Sequence, residues 1–370
     1  MQILNQEIVF PISTRSGFIP RALARGRTIP GIAYSREQRT GTGGVGVTND
    51  QDFELFSKGQ IDPNSIAYIN GRFVPLHAAT VNIATNALQY GTASLEGINA
   101  YWNQNDQELY VFRLLDHYER LLKHCELLDL ELTQTAEELS SITVELLQRN
   151  NSRQDVYIRP LAYKAGLVAG PTLLNKDGEN PTGFCIHVRP LPQIDIKKGI
   201  RACIPSWQKA LWSTMPANCK ITGTYFVSTL AQKEAKDRGF DEAIFLTPNG
   251  KVSEATSTNV FVVHNRRLIT PPVETNILKG ITRDSIIELA ASELHIEREV
   301  KEFGVEELYN ADEIFLTGTL SGVRPVTVID EHITGNGEIG PITKELQELY
   351  LEVARGNNQR YKNWCIPVFK

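Results

Sequence analysis

Short strand-like runs alternate with amphipathic helical patterns along most of this chain of 370 residues. Residues 66–75 predict a β-hairpin, because Asn70 and Gly71 readily adopt the positive φ angles of a type I′ turn. Apolar residues then recur at helical spacing between Leu114 and Leu128, and a second helical pattern covers 136–149. A chain that mixes the two periodicities in this way is expected to build layered α+β units.

The same alternation continues in the second half of the chain. A helix is predicted over 225–238, ended by Gly239, and another over 282–294. A length of 370 residues suits about two domains, and the Pro- and Asp-bearing stretch 190–198 is the best boundary between them. We therefore predict an N-terminal extension over 1–65, a smaller domain over 66–190, a linker over 191–198 and a larger domain over 199–370.

The bulk composition disfavours several classes of partner. The 38 basic and 43 acidic side chains nearly balance, whereas nucleic-acid binding usually needs a dense basic face. No apolar run approaches the ~20 residues of a membrane-spanning helix, so no membrane partner is expected. The 5 cysteines include no CxxC pair, which favours neither a disulfide framework nor a zinc ribbon, and no metal site is predicted. A reducing, cytoplasmic location fits this cysteine usage.

The N-terminal extension has a composition of its own. Between Met1 and Thr48 six arginines stand against two acids, without any lysine. Such a composition resembles an organellar transit peptide, which would place the protein in an organelle. The interpretation we favour is an extension that packs on the protein body or on a second subunit through apolar residues such as Phe10 and Ile19.

Lys220 is the one charged residue between Ala210 and Leu230. A lysine buried without a counter-charge loses its proton more easily, and a neutral lysine can form an imine with an aldehyde. The alternative is a lysine whose flexible stem reaches solvent. We expect the pKa of Lys220 to be lowered toward the working pH, as an acid-base residue requires.

Two further segments could act together with an imine-forming lysine in one binding site. In 278–283 a glycine precedes a helix predicted to begin at Thr282, whose free N–H groups suit a phosphate; the alternative is an ordinary threonine cap. Glu254 lies in a small polar loop before an apolar strand, and a solvated loop charge is its alternative. An imine-forming lysine, a phosphate cradle and a carboxylate are together what a pyridine cofactor requires.

These motifs, in this order and spacing, resemble the signature of class IV aminotransferases, which use pyridoxal 5′-phosphate (PLP). The resemblance covers roughly residues 66–355 and is to branched-chain-amino-acid aminotransferases, whose opening hairpin is similar to 68–72. It implies a two-domain α+β fold of type IV, with a smaller N-terminal α/β domain, a larger β-rich C-terminal domain and the cofactor between them. It also implies a homodimer or larger homo-oligomer.

The resemblance assigns cofactor roles residue by residue. Lys220 would bond to the cofactor through an imine and shuttle a proton between the substrate Cα and the cofactor C4′. Glu254 would pair with the pyridine nitrogen, and Tyr225 would hydrogen-bond the phenolic oxygen. Arg120, which by itself reads as a surface ion pair with Asp116, would instead grip the phosphate. The predicted cofactor-binding residues are Arg120, Lys220, Tyr225, Glu254, Ile281, Thr282 and Thr319.

The resemblance also implies where the substrate binds. The amides of turn 318–320 would bind the substrate α-carboxylate, and the strand around 157–160 would assist in carboxylate recognition. The sequence departs from the branched-chain pattern in two places. Leu95 and Asn99 stand where a bulky aromatic and a basic residue are usual, and turn 318–322 reads Gly-Thr-Leu-Ser-Gly where a small-residue run followed by an acid is usual. The predicted substrate-binding residues are Tyr90, Gly97, Tyr157, Arg159, Thr319 and Leu320.

The function implied is PLP-dependent transamination between an amino acid and a 2-oxo acid, with glutamate and 2-oxoglutarate as the common pair. Because the two departures touch the substrate pocket, a specialised biosynthetic transaminase acting on an unusual keto acid or amine is one alternative. A PLP-dependent lyase of the aminodeoxychorismate lyase type, which would release pyruvate without an amino acceptor, is another.

Overall fold

In the computed structural model, the chain enters its first sheet through the predicted hairpin, with Asn70 and Gly71 at φ angles of 47° and 84°. The structure describes residues 61–62, 64–173, 181–192, 195 and 198–370, which lie within one unit of the chain, Asn49–Lys370. The extension predicted at 1–65 therefore falls almost wholly outside the described residues, and the linker predicted at 191–198 is described only in part. The domain boundaries stay predictions.

The first sheet of the described residues has eight strands, and every neighbouring pair in it is antiparallel. They are β1 (Ile66–Ile69), β2 (Arg72–Pro75), β3 (Ala93–Leu95), β4 (Ile98–Asn103), β5 (Glu108–Phe112), β6 (Val156–Lys164), β7 (Thr182–Pro190) and β17 (Cys365–Pro367). Their order is β17-β5-β4-β6-β7-β1-β2, with β3 paired to β6. The last strand of the chain thus returns to the sheet that the first strands build.

Two helices cover one face of this sheet. The helices of this part of the chain are α1 (Asn86–Tyr90), α2 (Leu114–Glu126) and α3 (Ala136–Arg149). Leu121 of α2 and Leu139 of α3 are fully buried in one cluster with Ile98 of the sheet. Thr135 caps α3 as a capping box with Glu138, because each side chain bonds the other residue's backbone N–H.

The second sheet of the described residues has nine strands and contains a closed ring. They are β8 (Ile200–Cys203), β9 (Glu242–Leu246), β10 (Val252–Ala255), β11 (Asn259–His264), β12 (Arg267–Thr270), β13 (Arg298–Val300), β14 (Glu313–Gly318), β15 (Gly322–Ile329) and β16 (His332–Ile333). The order is β10-β9-β8-β15-β14-β11-β12-β13, and β16 pairs with β15. Because β10 also pairs with β11, through Glu254 and Asn259, the strands from β10 to β11 close on themselves.

A single buried cluster joins the two sheets through helices. The remaining helices are α4 (Tyr225–Asp237), α5 (Ile281–Ser292), α6 (Val305–Tyr309) and α7 (Pro341–Ala354). Phe112 of the first sheet packs edge-on against Tyr350 of α7, with 5.4 Å between ring centroids. Phe261 and Phe315 of the second sheet stack at 5.0 Å in the same cluster, which also holds Ile286 of α5. Aromatic burial of this kind couples the two sheets tightly.

The mixed α+β class predicted from periodicity is confirmed, with three helix boundaries to correct. Helix α4 ends at Asp237 and not at 238, and α5 ends at Ser292 and not at 294. Helix α5 begins at Ile281 and not at Thr282, because Gly280 has the extended backbone of an N-cap, with φ −69° and ψ 134°. Sequence patterns also missed several elements, among them β3, β7, β10, β15 and α7. In the part of the chain that the structure describes, no helix combines the length and apolar character needed to cross a membrane.

Candidate active site

Lys220 lies in the segment between β8 and α4, beside β3. The Leu95 N–H donates to the Lys220 carbonyl at 3.0 Å, and the Lys220 N–H donates to Nδ1 of His124 at 3.2 Å. Its Nζ donates to the hydroxyl of Tyr225, the first residue of α4, at 3.1 Å. The Lys220 backbone is therefore held on both sides, and its amine is directed at Tyr225.

The predicted lowering of the Lys220 pKa is wrong for this structure. Burial does lower this pKa, but the Tyr225 oxygen and the Glu96 carboxylate outweigh burial, so that the pKa of Lys220 lies above its ordinary value. The Glu96 carboxylate comes from a distant segment of the chain, whereas Tyr225 lies five residues after Lys220. The uncharged sequence around Lys220 therefore describes its neighbours along the chain and not its neighbours in space.

Glu254 lies on β10 and is only 7% exposed, so the alternative of a solvated loop charge is wrong. One of its carboxylate oxygens accepts from the Leu278 N–H at 3.0 Å and from Nδ2 of Asn259 at 3.2 Å. The other accepts from Nζ of Lys209 at 2.5 Å. Sequence reasoning missed Lys209, whose one signal is its position directly before the uncharged stretch around Lys220.

Arg120 forms no surface pair with Asp116, because Asp116 pairs with Arg113 at 2.6 Å. Arg120 instead makes two parallel hydrogen bonds to Glu96, from Nε to Oε1 at 2.8 Å and from Nη2 to Oε2 at 2.7 Å. Its Nη1 donates to the Lys279 carbonyl at 2.9 Å. The guanidinium therefore reaches the N-terminus of α5, and only 12% of the side chain is exposed.

The N-terminus of α5 needs glycine at its cap. A Cβ on Gly280 would stand 2.1 Å from Oδ1 of Asn259, so any other residue would displace that amide. Since Gly280 is the N-cap, the alternative of an ordinary cap by Thr282 is wrong. The free N–H groups and partial positive charge at this end of α5 suit an anion.

These groups surround one cleft with about 610 Å³ of empty space, part of it open to solvent. Thr258 and Thr317 also line it, and their hydroxyl oxygens are buried without a hydrogen-bond partner among the described residues. The structure thus brings together all seven residues predicted to bind the cofactor, while their individual roles stay predictions. The seven are Arg120, Lys220, Tyr225, Glu254, Ile281, Thr282 and Thr319.

The residues of the turn predicted to bind the substrate α-carboxylate line two different cavities. Thr319 lines the cleft, whereas Leu320 lines a neighbouring cavity with about 690 Å³ of empty space. The Thr319 carbonyl accepts from Nδ2 of Asn99 at 2.5 Å, and the same amide donates to the Tyr101 hydroxyl at 2.9 Å. Asn99, a departure from the branched-chain pattern, therefore holds this turn in position.

The other predicted substrate residues do not belong to the described lining of the cleft. Gly97, Tyr157 and Arg159 meet on the first sheet, where a Cβ on Gly97 would stand 2.2 Å from the Tyr157 hydroxyl. Arg159 donates to that hydroxyl through Nη2. Tyr90 is 39% exposed, and its hydroxyl accepts from the Gly170 N–H at 3.0 Å. Their part in substrate binding stays a prediction.

Known proteins share both the sequence and the fold. The family model for amino-transferase class IV matches residues 95–329. A probable branched-chain-amino-acid aminotransferase of Aquifex aeolicus is 44% identical over 304 residues, which cover 82% of this chain and 96% of that protein.

Two solved structures of branched-chain amino acid aminotransferases are similar to the chain. That of Thermobaculum terrenum in its PLP form has a TM-score of 0.77 at 37% identity, and the match covers 84% of this chain and 100% of that one. That of T.th., complexed with N-(5′-phosphopyridoxyl)-L-glutamate, has a TM-score of 0.76 at 34% identity, covering 82% of this chain and 98% of that one.

Class IV aminotransferases depend on PLP, and the residues around the cleft fit that group. Lys220 offers an amine to its aldehyde, and Glu254 offers a carboxylate to its ring nitrogen. The buried, unpartnered hydroxyls of Thr258 and Thr317 offer hydrogen bonds that the described protein atoms do not satisfy. The chain belongs to the class IV aminotransferases, PLP-dependent enzymes that transfer an amino group from an amino acid to a 2-oxo acid.

Proposed function

We propose that glutamate and 2-oxoglutarate are the common amino donor and acceptor of this enzyme, and that Lys220 is its acid-base residue. The observation that carries the proposal is the 3.1 Å approach of Lys220 Nζ to the Tyr225 hydroxyl in a cleft that Glu254 and Arg120 also line. When bound, PLP supplies an aldehyde that condenses with amines and a ring that stabilises negative charge at the neighbouring carbon.

Three side chains divide the proton chemistry. Lys220 would bind the cofactor aldehyde and would carry a proton between the substrate Cα and the cofactor C4′. Tyr225, which contacts the Lys220 amine, would hydrogen-bond the phenolic oxygen. Glu254 would hold a proton on the ring nitrogen, and its bonds from Leu278 and Asn259 keep the carboxylate in one orientation.

The phosphate would be held where Arg120 meets the N-terminus of α5. Arg120 would supply positive charge, and Ile281 and Thr282 would supply the first backbone N–H groups of the helix. Thr319, which also lines the cleft, would add a hydroxyl. Charge, helix dipole and hydrogen bonds would then act together on the same dianion.

An unpaired cationic patch on the first sheet supports an acidic substrate. Arg159 and Arg189 flank the ring of Tyr157, with 5.2 Å and 5.0 Å from guanidinium carbon to ring centroid. Neither arginine pairs with an acid among the described residues, and the Nε atoms of both are buried without a partner. The T.th. enzyme is complexed with a phosphopyridoxyl derivative of L-glutamate, which also supports glutamate here. The relatives above favour a transaminase over a lyase.

We propose a homodimer that buries an apolar patch beside the cleft. Ile83, Leu88 and Phe226 are 83%, 65% and 67% exposed, although apolar side chains of this size usually pack against other groups. The patch borders the Lys220 segment, because the Gly223 N–H donates to the Gly91 carbonyl at 3.0 Å. Light scattering should report a dimer for the full chain and a monomer for Ile83→Asp; an unchanged mass for Ile83→Asp would contradict this interface.

We place the enzyme in the cytoplasm. All five cysteines are free, as expected in a reducing compartment. The organellar alternative depends on residues 1–48, which lie outside the described residues. Fractionation of cells that express the full chain tests the proposal, because an organellar enzyme would sediment with membranes and lack its leader.

Spectroscopic half-reactions test the proposed activity. Glutamate added alone to the PLP form should convert its visible absorbance to that of the pyridoxamine form, and 2-oxoglutarate should reverse the change. Conversion by leucine or valine without conversion by glutamate would overturn the proposed pair. Release of pyruvate without an acceptor would instead indicate the lyase.

Borohydride reduction tests the role of Lys220 separately. Peptide mapping of the reduced holoenzyme should find the cofactor on Lys220, and Lys220→Ala should remove both the label and turnover. Lys344→Ala, at an exposed position, is the control and should keep both. A label that persists on another lysine in an active Lys220→Ala enzyme would refute the assignment.

A further inference from the structure

Glu96 lies between β3 and β4 and has no exposed side-chain surface. Its carboxylate accepts the two parallel bonds from Arg120 at 2.8 Å and 2.7 Å. It also bonds Nδ1 of His117, at 2.8 Å from Oε2. A buried carboxylate with three such partners is fixed in place, because burial makes every lost bond expensive.

The Glu96–Arg120 pair is joined rigidly to the sheet and to α5. The backbone N–H of Glu96 donates to the Pro160 carbonyl at 3.0 Å, which ties the carboxylate to β6. On the far side, Nη1 of Arg120 donates to the Lys279 carbonyl at 2.9 Å, next to the cap Gly280. The guanidinium is thus held between β6 and the N-terminus of α5, which lie far apart in the sequence.

The charge of Glu96 is permanent at physiological pH. Burial alone would favour the neutral acid, but Arg120 and His117 more than offset burial, so the pKa of Glu96 lies well below its usual range. Burial holds the pKa of His117 below its ordinary value, so that this histidine is present as a neutral hydrogen-bond partner. Glu96 therefore brings a full negative charge to Arg120.

Glu96 is not among the described residues that line the cleft, whereas Arg120 is. Glu96 therefore makes no contact with a group bound in the cleft, and its hydrogen bonds act on the orientation of Arg120. A free arginine side chain has many rotamers, and this ion pair removes the conformational cost of ordering it before the phosphate binds.

We propose that Glu96 is a positioning residue for cofactor binding, which holds the Arg120 guanidinium in the orientation that receives the phosphate. The proposal rests on the proposed role of Arg120 as a phosphate ligand. His117 completes the arrangement by occupying the remaining hydrogen-bonding position on Oε2, which prevents the carboxylate from rotating away from Arg120.

The test compares the affinity of the cofactor-free full chain for PLP with its affinity for pyridoxal, which lacks the phosphate. Glu96→Gln keeps the shape of the side chain but loses its charge and one acceptor. We expect PLP affinity to fall about 10- to 100-fold, the range for loss of a charge-assisted hydrogen bond, and pyridoxal affinity to change less than about twofold. The ³¹P resonance of bound PLP should also shift, because the cation beside the phosphate moves.

Glu108→Gln is the matched control. Glu108 is another fully buried carboxylate, but its partners are the backbone N–H groups of Leu109, Val368 and Phe369. It should lower stability without altering the preference for PLP over pyridoxal. If Glu96→Gln does not fold, Glu96→Asp keeps the charge, withdraws it by one methylene and gives the same comparison.

Four outcomes overturn the inference or its basis. Equal losses of PLP and pyridoxal affinity in Glu96→Gln would show a structural role only, and no loss of either would show no role. Arg120→Gln separates the two levels of the proposal. If Arg120→Gln abolishes the preference for PLP over pyridoxal and Glu96→Gln does not, Arg120 is a phosphate ligand that needs no positioning by Glu96. If Arg120→Gln leaves that preference intact, the proposed role of Arg120 itself fails.

Discussion

Lys209 and Glu254, 45 positions apart in the sequence, form a buried ion pair in the wall of the cleft, with 2.5 Å between Nζ and Oε1. The two side chains are only 11% and 9% exposed. Removing one partner of a buried pair leaves the other charge uncompensated, which costs more than the pair itself contributes. The carboxylate assigned to the cofactor ring therefore depends on a lysine from a different segment.

Lys209→Met should consequently destabilise the cofactor-free protein by about 3–5 kcal/mol and slow the glutamate half-reaction by about 10-fold. The rate falls because the Glu254 carboxylate loses the Lys209 hydrogen bond that fixes one of its oxygens in the wall of the cleft. Urea unfolding and stopped-flow absorbance measure the two effects. Lys236→Met, which breaks an exposed pair with Asp241, is the control and should change stability by less than about 1 kcal/mol.

Gly280→Ala should weaken PLP binding and destabilise the protein by about 1–3 kcal/mol. The added Cβ would lie 2.1 Å from Oδ1 of Asn259, whose amide also donates to Glu254 and to the Leu278 carbonyl. Displacing Asn259 therefore disturbs both the phosphate end and the carboxylate end of the cleft. Titration of the cofactor-free chain with PLP measures the loss.

Gly304→Ala is the natural comparison for that substitution. Gly304 is also a helix N-cap, but a Cβ there meets no atom within 4 Å. Similar losses of stability and PLP affinity in Gly280→Ala and Gly304→Ala would show that replacing any N-cap glycine has this effect, and that the close approach to Asn259 does not cause it.

His187 should make stability depend on pH below neutrality. Burial and then Arg159 and Arg189 lower the pKa of His187 from 6.5 to about 4. Between these values the unfolded chain binds a proton that the folded chain does not, so the free energy of unfolding falls as the pH falls, by at most about 1.4 kcal/mol per pH unit. The contribution is complete above pH 6.5 and is lost on acidification toward pH 4.

His187→Gln removes this titrating group. The free energy of unfolding of the variant should therefore fall less steeply with decreasing pH, by the contribution of one histidine. Urea unfolding at several pH values from neutrality down to about one unit above the folded-state pKa measures the slope for both proteins. Parallel curves for the variant and the natural chain would contradict the assignment. His124, whose pKa burial also lowers to about 4, should retain its own contribution in the variant.

Arg189→Leu should raise KM for glutamate and 2-oxoglutarate by about 10-fold and leave KM for an apolar amino acid nearly unchanged. If this cationic patch receives the acidic substrate as proposed, that substrate gains most from the Arg189 guanidinium, which flanks Tyr157 and whose Nε is buried without a partner among the described residues. Arg153→Leu is the control, since Arg153 flanks Trp102 at 5.7 Å in the same kind of contact. Equal changes for acidic and apolar substrates would argue against a role in specificity.

Local patterns were sufficient for many elements of the fold. Helix α3 and its Thr135 cap follow from periodicity and capping chemistry, both of which act within a few residues. The first hairpin follows from Asn70 and Gly71 for the same reason. The ring closure of β10 on β11 has no such local signal, because strand pairing across the sheet depends on which segments meet after folding.

The sequence by itself determined many of the elements, the family signature and, through that resemblance, the identity of seven residues that line the cleft. Only the tertiary structure decided the electrostatics. It paired Arg120 with Glu96 instead of Asp116, and it surrounded Lys220 with groups that raise its pKa. The physical reason is that charge interactions depend on distance and burial in space, which neighbours along the chain do not specify.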